Sequence, residues 1–286
     1  MEHPSSNRRE VIGLRHLEDE NALMTFGFDA PLKSEQGEAV RKIADKIIGD
    51  CHSFGKNRVA FVCSTQKRTL ETAKLIQDEL LPRDEKLGVS IIPDYRLVDL
   101  SQGRLIFPKE YRDGDNLPGL STAWKIFWEE SFTKKNLLYR FGDSVKLADG
   151  SLLYPELEGL FERPGESCAE FTCRIYDFLA SLENMDFEDT LNLIVGHTAT
   201  ISILYEFLEI AKDLSRKFIP TVPLGELPNI SWGYLQKIQK YLPGDISPGQ
   251  LTTYEISDLI RPEIQEIIRV ERDVLKSLIT QSRHEK

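Results

Sequence analysis

Residues 58–81, RVAFVCSTQKRTLETAKLIQDELL, join a short apolar run to a longer stretch with helical spacing. After Arg58, the run over 58–63 is apolar throughout, and it has the length of a strand that is buried on both faces. Over 66–81, apolar side chains recur every three or four residues, which predicts an amphipathic helix that ends at Pro82. A buried strand followed directly by such a helix is the repeating unit of a parallel α/β sheet.

The same alternation continues on both sides of this unit. Strands are predicted at 10–15, 88–92 and 190–196, with an edge strand at 229–238. Helices are predicted at 36–50 and at 199–210, and a further helix runs from the capping box of Ser167 and Glu170 to about Glu183. Strands that alternate with helices predict βαβ units. We therefore expect an α/β fold, a three-layer sandwich whose mostly parallel central sheet is flanked by helices.

The alternation is interrupted by residues 104–163, a stretch rich in aromatic, charged, glycine and proline residues. Within it, 121–132 has the spacing of a helix. We interpret the stretch as a lid-like insertion in a single domain of residues 1–286. Its aromatic residues are interpreted as the core of the lid, and they are Phe107, Tyr111, Trp124, Phe127 and Trp128. Residues 253–281 predict a C-terminal surface helix that packs on the body or forms a dimer.

The composition is that of a globular protein of 286 residues, 41% hydrophobic and 29% charged. A net charge of −10 argues against a nucleic-acid partner, which needs a basic surface. Because no stretch approaches the roughly 20 apolar residues of a membrane span, we also expect no membrane partner. The first ten residues are polar and charged with no apolar run behind them, so we expect no signal peptide. The cysteines lack CxxC spacing, and an unpaired Cys63 in an apolar run favours a reducing, cytoplasmic location.

Polar and basic side chains follow the predicted central strands at the point where each strand ends. They are Arg15 and His16, Ser64 and Arg68, Asp99, and His197. Because ligands of such sheets bind beyond the carboxyl ends of the strands, these side chains are expected to converge on one site. Each also has a purely structural interpretation: a surface ion pair for an arginine, a satisfied hydrogen bond for a histidine, a helix cap for Ser64.

Together these side chains suit the transfer of a phosphoryl group. Two arginines bind a phosphoryl dianion through their planar forks, and a helix N-terminus adds N–H donors. A neutral histidine nitrogen is a competent nucleophile near pH 7, and flanking arginines lower its pKa. A carboxylic acid can protonate the departing alkoxide. We expect no metal and no other cofactor.

The motifs that contain these residues resemble those of the histidine phosphatase superfamily, also called the phosphoglycerate mutase-like superfamily. The family motif Ser-x-x-x-Arg-x-x-x-Thr-Ala is matched in full. In family order, the corresponding stretches are Arg15-His16-Leu17-Glu18, residues 31–37 (one residue longer than the family's Pro-Leu-Thr-x-x-Gly), Ser64/Arg68/Thr72/Ala73, Asp99 with Gly103, Gly165-Glu166-Ser167, and Val195-Gly196-His197-Thr198.

The resemblance implies a role for each residue. It makes His16 the nucleophile that becomes a phosphohistidine, and Asp99 the proton donor. The residues implied to bind the substrate's phosphoryl group are Arg15, Arg68, His197, Asn21 and Thr198. Glu166 and Ser167 are interpreted as a helix cap. The chain departs from the family at Leu17, where glycine is usual, and we expect a side chain there to narrow the pocket or shift the loop.

The sequence therefore predicts a metal-independent phosphatase, a monomer or homodimer, that acts on a small phosphorylated substrate. Two alternatives stay open. Phosphoglycerate-mutase-type transfer is the first, although only Lys109, Tyr111 and Arg112 resemble the basic, tyrosine-containing stretch of the mutases. The second is a relative without activity that binds a phospho-ligand or acts as a scaffold.

Overall fold

The computed structural model of the chain describes residues 9–18, 32–105, 120–134, 136–198, 200–201 and 247–284. Several predictions lie outside the described residues: the strand at 229–238, most of the helix at 199–210, and the residues Asn21, Phe107, Lys109, Tyr111 and Arg112.

The described strands are β1 (Glu10–Arg15), β2 (Arg58–Ser64), β3 (Gly88–Asp94), β4 (Arg104–Leu105), β5 (Phe161–Arg163), β6 (Thr190–Gly196) and β7 (Leu251–Glu255). Five of them form one sheet in the order β3-β2-β6-β1-β7. β1, β2, β3 and β6 are mutually parallel where they pair, and β7 runs antiparallel to β1 at one edge. These pairings confirm the prediction of an α/β fold with a mostly parallel sheet.

The described α-helices are α1 (Gly37–Phe54), α2 (Lys67–Leu80), α3 (Leu120–Trp128), α4 (Cys168–Leu179) and α5 (Pro262–His284). α1 and α2 pack with Phe61 in one apolar cluster, while α4 and α5 pack with Val62 in another. Successive residues of a strand point to opposite faces of the sheet. The two clusters therefore lie on opposite faces, which gives the helix–sheet–helix layering that the alternating pattern predicts.

The prediction of one helix over 253–281 was wrong at its start. Residues 251–255, Leu-Thr-Thr-Tyr-Glu, form the edge strand β7, and the helix α5 begins at Pro262. β-branched and aromatic side chains favour a strand, and Tyr254 is buried there. Proline favours the first turn of a helix because its missing N–H has no intrahelical acceptor in that position. α5 packs on the body of the protein against α4, where Ile264 and Ile268 are buried.

The stretch 104–163, which the sequence predicts to be an insertion, begins and ends at a pair of short antiparallel strands, β4 and β5. Its two ends are therefore adjacent, as an insertion into a continuous domain requires. Trp124, Phe127 and Trp128 of α3 pack against one another, and the first two also pack against Phe141, with centroid separations between 4.6 and 6.1 Å. These aromatic residues belong to the apolar core rather than to a ligand surface.

All four cysteines of the chain are buried and unbridged. Burial raises the pKa of the Cys63 thiol to about 12, so this thiol stays protonated at neutral pH. Within the described part of the chain, no helix is both long and apolar enough to cross a membrane.

Candidate active site

The carboxyl ends of β1 and β6 bring His16 and His197 together. The two strands are parallel neighbours in the sheet, and the His16 N–H donates to the carbonyl of Gly196 over 3.1 Å. The imidazole rings that follow have centroids 5.2 Å apart. Both rings are buried, with His16 6% and His197 1% exposed. The two histidines thus share one small site at the sheet edge where the sequence places them.

A single hydrogen bond sets the proton arrangement of His16. Its Nδ1 lies 2.7 Å from the carbonyl oxygen of Leu17. Because a carbonyl can only accept, Nδ1 must bear the proton, and the lone pair of the neutral ring is on Nε2. Burial and the charges of Arg68 and Arg15 lower the pKa of His16 to about 3, against the opposing effect of the Leu17 bond. His16 is therefore neutral near pH 7, with a nucleophilic nitrogen.

Leu17 packs into the apolar core rather than into the pocket, which removes the first of the two effects expected for a side chain at this position. It is 1% exposed and belongs to the apolar cluster of α1, close to Ile43 and Gly249. Its N–H donates to Thr72 Oγ1 over 3.0 Å, and the Thr72 hydroxyl in turn donates to the carbonyl of Arg68 over 2.7 Å. The threonine of the Ser/Arg/Thr-Ala motif thereby ties the nucleophile loop to α2.

Arg68 and Ser64 hold the ring of His197 from two sides. The Arg68 guanidinium approaches His197 Nδ1 with Nη2 at 3.1 Å and Nε at 3.4 Å. A guanidinium only donates, so Nδ1 accepts and the ring proton is on Nε2, which donates to Ser64 Oγ over 3.1 Å. Burial and the charge of Arg68 keep the pKa of His197 well below its usual value.

Ser64 is a site residue whose sequence position is equally compatible with a helix cap. The residue that caps α2 is Gln66, which makes no side-chain cap bond. The buried Ser64 hydroxyl accepts the Gln66 N–H over 3.3 Å and also faces His197. The sequence contains a signal for this placement at the site, since Ser64 is the first residue of a motif that the chain matches in full.

Asp99 lies at the rim of the site. Its side chain is 34% exposed, and Oδ2 is 4.0 Å from Nη2 of Arg68. Oδ1 accepts the N–H of Leu100 over 3.0 Å. Loss of hydration raises the pKa of Asp99, although the charges of Arg68, Arg174 and Arg15 and the Leu100 N–H oppose the rise. A raised pKa favours the protonated acid that a proton donor needs.

Arg15 and Thr198 complete the predicted set within the described residues. Arg15 ends β1, beside Gly196, and its charge lowers the pKa values of His16, His197 and Asp99. Thr198 directly follows His197 in a helical turn whose first hydrogen bond runs from the N–H of Ile201 to the His197 carbonyl. The structure brings Arg15, His16, Arg68, Asp99 and His197 to one edge of the sheet. The roles of these residues and of Thr198 remain predictions.

The burial of a neutral His16 predicts that acid destabilises the fold. With a folded-state pKa of about 3 against 6.5 in the unfolded chain, the unfolded state binds the proton first as the pH falls. The stability contribution of His16 is therefore present above its unfolded pKa and is lost as the pH falls toward the folded value. Between pH 7 and pH 5, we expect the unfolding free energy of the wild type to fall by about 2 kcal/mol more than that of His16→Gln. Urea unfolding measures both, and an identical pH dependence in the two proteins would contradict the buried neutral histidine.

No protein-family model and no curated protein matches this chain. Among solved structures, an Escherichia coli K-12 protein described as a candidate α-ribazole-5′-P phosphatase is similar, with 17% identity and a TM-score of 0.49 over 88% of this chain and 93% of that one. A mycobacterial glucosyl-3-phosphoglycerate phosphatase is 17% identical, with a TM-score of 0.42 over 86% and 89%. Mycobacterial hydrolase 1 is 16% identical, with a TM-score of 0.44 over 86% and 88%.

Proposed function

We propose that this chain, whose ordered motifs resemble those of the histidine phosphatase superfamily, hydrolyses a small phosphate monoester through a phosphohistidine on His16. The observation that supports this most strongly is the state of His16 itself. It is a buried, neutral imidazole whose Nδ1 is bonded to the Leu17 carbonyl, and it lies 5.2 Å from a second imidazole. An Nε2 lone pair held next to Arg68 and Arg15 is suited to attack a phosphorus atom whose oxygens those arginines bind.

In the first step, Nε2 of His16 forms a bond to phosphorus while the bond from phosphorus to the ester oxygen breaks. Asp99 gives its proton to the departing oxygen, which leaves as an alcohol. In the second step, water forms the new oxygen–phosphorus bond, the nitrogen–phosphorus bond breaks, and the ionised Asp99 takes a proton from the water. Arg15, Arg68 and His197 stabilise the charge of the transferring group in both steps.

The proposed reaction needs no metal, because the arginines supply the positive charge that a metal ion otherwise gives to phosphoryl transfer. We expect the purified protein to hydrolyse p-nitrophenyl phosphate and a panel of alkyl phosphates, and we expect excess EDTA to leave both rates unchanged. Release of inorganic phosphate measures the turnover.

The same assay separates the alternatives. Phosphate release that EDTA abolishes would overturn the metal-independent mechanism. Transfer of the phosphoryl group to an alcohol acceptor in preference to water would favour the mutase-type reaction. Binding of phosphate without turnover of any ester would favour a scaffold or binding role.

A further inference from the structure

A side chain outside the predicted set holds the loop that carries Asp99. Arg174 of α4 donates through Nη1 to the carbonyls of Arg96 and Val98, over 2.6 and 2.7 Å. Its Nη2 approaches the carbonyl of Asp99 at 3.4 Å. One guanidinium therefore binds three carbonyl groups of the segment that ends in the proposed proton donor.

Glu166 fixes this guanidinium from the opposite side. Its carboxylate accepts from Arg174 Nε over 3.1 Å and from Nη2 over 2.7 Å, and both side chains are only 14% exposed. The ring of Phe171 packs 5.0 Å below the guanidinium carbon. A bidentate, largely buried pair of this kind has a fixed geometry. The interpretation of Glu166 as part of a helix cap was wrong, because the cap consists of Ser167 and Glu170.

The same Glu166 also binds the loop on the far side of Asp99. Its backbone N–H donates to the carbonyl of Ser101 over 2.7 Å, and its Oε2 accepts the Ser101 N–H over 3.3 Å. The two backbones come so close here that a Cβ at Gly165 would overlap the Ser101 carbonyl, and one at Gly103 would overlap the backbone at Gly165. This contact explains why both loops carry glycine.

We infer that Arg174, held by Glu166, is the positioning residue that aims the Asp99 carboxyl at the leaving oxygen. The inference rests on the proposed function and goes beyond it. Arg174 touches the backbone of residue 99, and in the described residues it makes no hydrogen bond to the Asp99 side chain. Apart from its charge, which lowers the pKa of Asp99, it therefore acts on this residue through the path of the loop. The loop is also held by Thr200, whose hydroxyl donates to the Leu97 carbonyl over 3.3 Å, and by Arg96, whose Nη1 donates to the carbonyl of Asp177 on α4 over 2.7 Å. Both contacts lie farther from Asp99 along the chain than the contact of Arg174 with residue 99.

The consequence for catalysis is specific to the proton-transfer step. A displacement of a catalytic group by about 1 Å can cost about 100-fold in rate. If the Asp99 loop is released, that loss should fall on substrates whose leaving group needs a proton, and it should spare p-nitrophenyl phosphate, whose phenolate leaves without one. Release of the loop should therefore lower the ratio of alkyl to aryl turnover, whereas general damage to the fold lowers both rates together.

The test is the alkyl-to-aryl turnover ratio of Arg174→Met, with Arg283→Met as the matched control. Arg283 is an exposed arginine of α5 that pairs with Glu170 of α4 rather than with the carbonyls of the Asp99 loop. We expect Arg174→Met to lower the ratio by about 10- to 100-fold and Arg283→Met to leave it unchanged. Glu166→Gln, which keeps the shape but weakens the pair, should move the ratio in the same direction by less. In Asp99→Asn, adding Arg174→Met should lower the ratio no further, because the group that it positions is already lost.

Equal losses on both substrates in Arg174→Met and in Glu166→Gln, with an unchanged ratio, would overturn the inference and leave the proposed function standing. If Arg174→Met fails to fold, as thermal melting would show, the alkyl-to-aryl turnover ratio of Glu166→Gln decides instead: a lowered ratio supports the inference, and an unchanged ratio overturns it. A wild-type protein that hydrolyses neither substrate would instead overturn the proposed function, and this inference with it.

Discussion

Replacement of His16 by alanine is expected to abolish turnover of every phosphate ester, by about 10⁴-fold or more, as the loss of a covalent nucleophile does. The buried, neutral ring presents the lone pair of Nε2, while Leu17 fixes the proton on Nδ1. Neither Arg68 nor His197 can replace it, because a guanidinium has no nucleophilic lone pair and the one lone pair of the neutral His197 ring, on Nδ1, accepts from Arg68.

The variant should still fold and still bind an anion. The arginines proposed to supply most of the attraction for phosphate come from other positions of the chain, so vanadate or phosphate is expected to raise the melting temperatures of His16→Ala and of the wild type alike. His52→Ala is the matched control, because His52 is an exposed histidine on α1 with a side chain 70% accessible. Turnover by His16→Ala within about tenfold of the wild type would exclude the proposed nucleophile.

Replacement of Asp99 by asparagine should reduce turnover to an extent that depends on the leaving group of the substrate. General acid catalysis contributes roughly 10²- to 10⁴-fold where the leaving oxygen needs a proton. We therefore expect Asp99→Asn to reduce the turnover of alkyl phosphates by about that factor and that of p-nitrophenyl phosphate much less. Asp78→Asn provides the control, since Asp78 is an exposed acid paired with Lys74 on α2.

The pH dependence of turnover also tests whether Asp99 is the proton donor. Because Asp99 must be protonated to act, activity on alkyl esters should fall as the pH rises above its pKa, which loss of hydration raises. His16 must be neutral, and its pKa of about 3 places its protonation at much lower pH. We expect an optimum on the acidic side of neutral for alkyl esters, and a profile that declines less with rising pH for p-nitrophenyl phosphate.

Equal losses on both kinds of substrate in Asp99→Asn, with an unchanged pH profile, would show that Asp99 is structural. Glu18, two residues beyond the nucleophile, would then be the next acid to consider. Its carboxylate is 2.6 Å from Lys33, however, and this pairing lowers its pKa. An acid that is ionised and exposed near neutral pH is a poor proton donor, which favours Asp99.

The sheet and its site edge were predictable because buried parallel strands leave a strong pattern in the sequence. β1 and β6 have the predicted limits, and β2 differs by one residue, since each is a mostly apolar run that ends at or directly before a polar residue. β7 was missed because an edge strand that pairs antiparallel depends on its neighbour β1, which lies far away in sequence. The five residues of β7 also adjoin a charged stretch with helical spacing.

The residues that support the site were less predictable than those that form it. His16, Arg68 and His197 follow strand ends, and topology alone brings such positions together. The pairing of Arg174 with Glu166 and with the Asp99 loop depends on how α4 packs against a segment about 75 residues earlier in the chain. Spacing within the sequence contains no signal for a contact of that kind.

The most direct test of the proposed mechanism is to trap the phosphoenzyme. The wild-type protein is mixed with substrate, quenched in alkali to preserve a phosphohistidine, and measured by intact mass, with fragmentation to locate the modified residue. We expect a mass increase of one phosphoryl group on His16 that acid removes, and no such increase in His16→Ala. Steady turnover of phosphate esters with no phosphoenzyme on His16, or with the phosphoryl group on another residue, would contradict it.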